Sequence, residues 1–150
     1  MNSLQLGKYA EYLTKMEFVL WGCDVFTSEV DDHGIDFVIR TRQGNHFDVQ
    51  VKSFRLTAGK RTPYYLYIQK SKFKIHPSLL LVLVHFVKGM PPTLYLLPSC
   101  VGADPNPLLE SRDYGEGKKS PPEWGLTLSK KKLALLSEQC AFDTVVKALE

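Results

Sequence analysis

Apolar side chains recur at Leu6, Tyr9, Ala10, Leu13, Met16 and Leu20, steps of three and four that predict an amphipathic helix over about residues 4–20, closed by Trp21-Gly22. The period then changes. Residues 23–28 are aromatic and β-branched, as in a short strand, and the acidic turn Val30-Asp31-Asp32-His33-Gly34 leads into a second strand at 35–41. Arg42-Gln43-Gly44-Asn45 supplies a turn whose glycine and asparagine tolerate positive φ, so residues 46–53 return antiparallel to the second strand.

Beyond residue 53 the pattern alternates between basic connectors and strands. Thr57-Ala58-Gly59-Lys60-Arg61-Thr62-Pro63 reads as a flexible basic loop, residues 64–69 as an alternating strand and 70–77 as a basic connector. Residues 79–87 form a continuous apolar run of buried-strand length; a turn at 89–92 precedes a strand at 94–97, and Pro98 stops it. Residues 102–125, rich in Gly, Pro, Ser and charge, predict a long surface loop. Ser129 is an N-cap candidate, and Leu133, Leu136, Cys140, Val145 and Leu149 mark one closing helix or a broken pair. There is no internal repeat.

One hundred and fifty residues, 44% apolar, suffice for one compact core and hardly for two, so one domain over residues 1–150 is expected. No stretch approaches the roughly 20 uninterrupted apolar residues of a membrane span. The N-terminal residues lack a charged-then-apolar signal layout, and a cytoplasmic location is expected. Cys23, Cys100 and Cys140 are odd in number and far apart, fitting neither a disulfide framework nor a zinc pattern.

Charge is unevenly distributed. Residues 1–48 hold eight acids and four bases, whereas 49–103 hold no acid and eight bases: Lys52, Arg55, Lys60, Arg61, Lys70, Lys72, Lys74 and Lys88. Burial explains the lack of acids at 79–86 but not Lys70, Lys72 and Lys74. The asymmetry points to a polyanionic partner, nucleic acid before others.

The chemistry concentrates in Asp48-Val49-Gln50-Val51-Lys52. On a strand, Asp48, Gln50 and Lys52 share one face while Val49 and Val51 take the other. Hydrolysing a phosphodiester requires a nucleophilic water, neutralisation of phosphate charge and a stabilised leaving oxygen, all of which a hard divalent cation on oxygen ligands supports. Asp36, after a glycine turn that would let a phosphate approach, reads either as a ligand or as a solvated strand-end aspartate. Gln50 can offer an amide oxygen. Lys52 can orient water and offset phosphoryl charge; alone it also reads as an ordinary solvated lysine. His33 is a conceivable general base, His46, His76 and His85 have no metal-ligand spacing, and Asp48 reads as structural.

Gly34-Ile35-Asp36 followed by Val49-Gln50-Val51-Lys52-Ser53, with Gly7-Lys8-Tyr9-Ala10-Glu11 upstream, resembles the PD-(D/E)XK nuclease superfamily over about residues 5–70. The resemblance implies an α/β (α+β) restriction-endonuclease-like core, a mixed sheet with flanking helices. It implies a magnesium site, or manganese in its place, held by Glu11, Asp36, Gln50 and the Val51 backbone carbonyl, with Lys52 as the motif's lysine. Gln50 stands where the motif has a second acid. One negative charge is lost, Glu11 gains weight, and a scaffold that binds DNA without cutting stays open. In size and layout the chain is also similar to the compact homing endonucleases of bacterial group I introns.

These readings together lead us to expect a magnesium-dependent, sequence-specific endonuclease of double-stranded DNA, of homing or restriction type, working as a homo-oligomer, dimer or tetramer. A Holliday-junction resolvase-like nuclease and a non-catalytic DNA-binding module are the alternatives. A basic hairpin over residues 55–67, carrying Arg55 and tipped by Lys60 and Arg61, is expected to enter the major groove, with Lys70, Lys72 and Lys74 on phosphates. Of Tyr64, Tyr65 and Tyr67, at least one is expected to pack the sheet.

Overall fold

Asn2 opens the first helix with a reciprocal cap: its side chain accepts from the Gln5 amide at 2.9 Å, and Gln5 Oε1 accepts from the Asn2 amide at 3.0 Å. The helix, α1, is Ser3–Leu20. The computed structural model describes residues 1–29, 34–56, 64–102 and 108–150. The buried stripe of α1 is Leu6, Ala10, Thr14 and Phe18, a strict four-residue step. Leu6 and Ala10 were expected there, but Tyr9, Met16 and Leu20 are exposed. Thr14 enters the core because its hydroxyl donates to the Ala10 carbonyl at 2.7 Å, which satisfies the one polar atom it buries.

Five strands form a sheet in the order β1-β2-β3-β5-β6, where β1 is Asp24–Phe26, β2 Phe37–Arg40, β3 His46–Arg55, β5 Leu79–Phe86 and β6 Thr93–Pro98. Only β3 and β5 are parallel; the other pairs are antiparallel, so the sheet is mixed. One face carries Phe37, Ile39, Val49, Val51, Leu80, Val82 and Val84, packed beneath α1 and a short helix α3, Phe142–Lys147. The ring of Phe18 on α1 meets that of Phe142 edge-on at 4.9 Å. Both faces of β5 are buried, which is why its sequence is continuously apolar rather than alternating.

The opposite face, with Phe54, Leu81, Leu83, Tyr95 and Leu97, is covered by a second, three-stranded sheet in the order β4-β8-β7 and by helix α2, Lys130–Gln139. Here β4 is Tyr64–Gln69, β7 Glu110–Arg112 and β8 Glu123–Leu128. The expected surface loop over 102–125 thus contains β7 and the start of β8. Leu126 and Leu128 bury against the core while Trp124 is half-buried, an alternation that the surrounding Gly, Pro and charge hide. The expected 55–67 ribbon does not form: β3 and β4 lie in different sheets, and β4 pairs with β8. The closing segment is a broken pair, interrupted where the Cys140 carbonyl accepts from Leu96 at 2.8 Å and Ala141 bridges Tyr95. Among the described residues no helix is long and apolar enough to cross a membrane.

Candidate active site

The β2–β3 ladder ends at Phe37↔Val49. Immediately before it, the Asp36 amide donates to the Val49 carbonyl at 2.9 Å, and Asp36 Oδ2 accepts from the Val51 amide at 2.6 Å. Continuing the register places Asp36 opposite Gln50, and opposed residues of an antiparallel pair share a face. Asp36, Gln50, Asp48 and Lys52 therefore stand on the same side of the sheet, the side away from α1. The shared face of Asp48, Gln50 and Lys52 is as the strand alternation implied.

Gln50 is only 3% exposed, and its Oε1 has no hydrogen-bond partner. An orphaned buried carbonyl oxygen costs roughly 1–3 kcal/mol, so its retention needs a reason. Gly34 borders this amide at φ +76°; a Cβ there would lie 3.0 Å from the Lys72 carbonyl and 3.3 Å from Gln50 Nε2. The glycine was expected to let a phosphate approach. In the structure it lets the backbone pass close to Gln50 and Lys72, in a conformation that disfavours side chains.

Glu11 comes from α1, on the other face. Its Oε2 accepts from Lys8 Nζ at 2.6 Å, and Glu11 is the more buried partner. The Lys8 pKa is raised, first by that hydrogen bond and the Glu11 charge, with a smaller contribution from Asp36. The ammonium of Lys8 thus pairs with the Glu11 carboxylate. Lys8 was not singled out in the sequence, although its i,i+3 spacing to Glu11 is the signal that could have found it. Lys52, beside Leu83 of β5, is half-buried and makes no ion pair among the described residues.

An open pocket of about 290 Å³ adjoins this site, lined by Ile35, Asp48, Ser71, Lys72, Lys74, His76 and Leu79. The Ser99 hydroxyl accepts from the His76 amide at 3.1 Å and donates to its carbonyl at 2.7 Å. The Ser78 amide donates to His76 Nδ1 at 3.2 Å, which leaves Nε2 as the proton-bearing nitrogen, 3.6 Å from Asp48 Oδ2. Lys70 turns elsewhere: Nζ bonds the Ser111 hydroxyl and lies 4.5 Å over the Trp124 ring. Arg55 ends β3, exposed. Tyr64, Tyr65 and Tyr67 are all partly exposed, but as expected at least one packs: the Tyr64 ring stacks on that of the buried Phe54 at 6.0 Å. His33, Lys60 and Arg61 lie outside the described residues.

No group of three or more His, Cys, Asp or Glu side chains is clustered among the described residues. The donor set on the strand pair is instead one carboxylate, that of Asp36, and the neutral Gln50 Oε1. It fits a hard divalent cation, which takes oxygen ligands and would satisfy the orphaned Gln50 Oε1.

Two solved structures share the fold. The bacterial homing endonuclease I-Ssp6803I superposes with a TM-score of 0.53 at 18% identity, over 87% of this chain and 79% of its own. Hjc, a Holliday junction resolvase from Archaeoglobus fulgidus, superposes with a TM-score of 0.53 at 10% identity, over 94% and 95%. The chain has the fold of these two nucleases. No family profile and no curated protein sequence matches the chain.

Proposed function

We propose that the chain is a magnesium-dependent endonuclease that hydrolyses phosphodiester bonds in double-stranded DNA at a specific sequence, in the manner of a homing or restriction enzyme. The observation that carries the reading is Asp36 beside a buried, unpartnered Gln50 Oε1, with Lys52 on the same face. Glu11, Asp36, Gln50 Oε1 and the Val51 carbonyl would hold the cation. The Val51 carbonyl leaves the strand on the same side as its amide, which is bonded to Asp36.

Bound magnesium, or manganese in its place, would supply positive charge at the scissile phosphate. The chain's own residues do the rest. With Lys8 withdrawn, the Glu11 carboxylate would be available to hold the cation. Lys52 holds the attacking water by a hydrogen bond and offsets charge developing on the phosphoryl oxygens. Lys72 and Lys74, one pocket away, engage neighbouring phosphates and orient the strand.

One domain with one site per chain cuts one strand, so double-strand cleavage requires a homo-oligomer, dimer or tetramer. The cytoplasm, where DNA is accessible, is the corresponding location. A junction resolvase is the second reading, favoured by the likeness to Hjc over nearly the whole chain.

The test is incubation of the purified protein with long genomic DNA and with branched junctions, in magnesium and in EDTA, beside Asp36→Asn and Lys52→Ala. Discrete magnesium-dependent fragments from linear DNA, lost in both variants, are expected. Cleavage confined to junctions selects the resolvase. Binding without cleavage on every substrate would leave a non-catalytic DNA-binding module.

A further inference from the structure

Helix α1 carries two apolar stripes, and only one is buried. The second runs along Tyr9, Tyr12, Met16, Val19 and Leu20, exposed by 44%, 60%, 57%, 50% and 74%. The steps 9-12-16-19 alternate three and four, the spacing of a helix–helix seam, and no charged residue falls among them on that face. Lys8 and Lys15 border it on one side, each within about 6 Å of the Tyr12 ring.

We propose that this stripe is the contact between two copies of the chain, an isologous pairing of α1 with α1 in which Tyr12 and Met16 form the centre. The inference deepens the oligomer in the proposed function by naming its surface. Three observations favour a second copy over other occupants. The first is area: half-exposed side chains of this size show roughly 100 Å² each, so five make roughly 500 Å² and two facing stripes bury roughly 1,000 Å², the lower bound of a specific interface. The second is spacing, since a three-four seam is complementary to another helix of the same spacing. The third is position: Glu11 lies on the same helix, so pairing α1 with α1 sets two candidate sites at a fixed separation, as cutting two strands requires. DNA is a poor occupant for an uncharged stripe, and Lys72 and Lys74 belong to the other face of the five-stranded sheet.

Sedimentation equilibrium of the wild-type chain, without DNA or metal and across a micromolar range, is expected to give twice the chain mass. Tyr12→Glu/Met16→Glu is expected to be monomeric with an unchanged far-ultraviolet spectrum, since both positions are solvent-facing and glutamate is a good helix former. Met90→Glu, at an equally exposed apolar residue off the helix, is expected to remain dimeric. A wild-type monomer at every concentration overturns the proposal without recourse to any variant. So does a double variant that still dimerises, or a monomer that floats with anionic vesicles through this face. Because no DNA or metal is used, a dimer that cuts nothing would sink the nuclease reading alone.

Discussion

The Val51 amide donates to the carboxylate of Asp36 at 2.6 Å, so a side chain closes the β2–β3 ladder where a backbone carbonyl would otherwise do so. The carboxylate has a structural task as well as its proposed catalytic one, and substitutions separate the two. Asp36→Asn keeps an acceptor for Val51 and is expected to melt within a few degrees of the wild type, yet to lose at least about a hundredfold in cleavage. Asp36→Ala leaves the amide unpaired and is expected to cost about 1–3 kcal/mol besides. Melting curves beside cleavage assays check this; equal stability loss in both variants would show that Oδ2 is not the ladder's cap.

In the proposed site Gln50 would report on the cation directly. Gln50→Leu removes the orphaned buried oxygen, so in EDTA the variant is expected to be at least as stable as wild type, while the stabilisation that magnesium confers disappears. Gln50→Glu restores a second acid; it is expected to melt lower in EDTA, where a buried carboxylate has no counter-charge, and to gain more from magnesium. Thermal shifts with and without the ion measure both. A magnesium shift undiminished in Gln50→Leu would remove Gln50 from the ligand set.

In the proposed site Lys8 would compete with the metal for Glu11. Its ammonium must leave the 2.6 Å contact before the carboxylate can become a ligand, so Lys8→Met is expected to bind magnesium several-fold more tightly. Stability should hardly change, because the lysine is largely exposed. Isothermal titration with magnesium decides; an unchanged affinity would mean that Glu11 is not a ligand.

His85 gives the fold a pH dependence. Its ring stacks on Phe54 at 4.6 Å, its Nε2 is buried without a partner, and burial lowers its pKa below the ordinary 6.5. As pH falls the unfolded chain takes up this proton first. The contribution of neutral His85 is therefore complete above about pH 6.5 and is lost as pH drops towards the lower folded value. His85→Phe is expected to flatten the stability profile below pH 6.5, followed by denaturant titrations; an unaltered slope would assign acid sensitivity elsewhere.

Lys72 and Lys74 line the pocket beside the site. Replacing both with alanine is expected to weaken DNA binding uniformly across sequences and to lower the salt slope of log affinity by about 2, roughly one per lost phosphate contact. Binding isotherms at several salt concentrations test this. A change in sequence preference with an unchanged slope would make them base readers instead.

The legible parts of this protein are those encoded over short range. Helix α1, the strands flanking Arg42-Gln43-Gly44-Asn45, the apolar run of β5 and the shared face of Gln50 and Lys52 all follow from local period and turn chemistry. The strand pair also positions Asp36 opposite Gln50, because register in a hairpin is set by the turn. These features determined the fold class and the candidate site. Tertiary structure decided the rest. Whether β4 pairs with β3 or β8, which of two apolar stripes on α1 is buried, and which side chains Gly34 and Lys8 meet depend on partners far away in the chain. Local propensity has no access to such partners: an alternating strand is satisfied by any edge offering matching hydrogen bonds, and an apolar stripe by any apolar face, so only the packed whole selects between them.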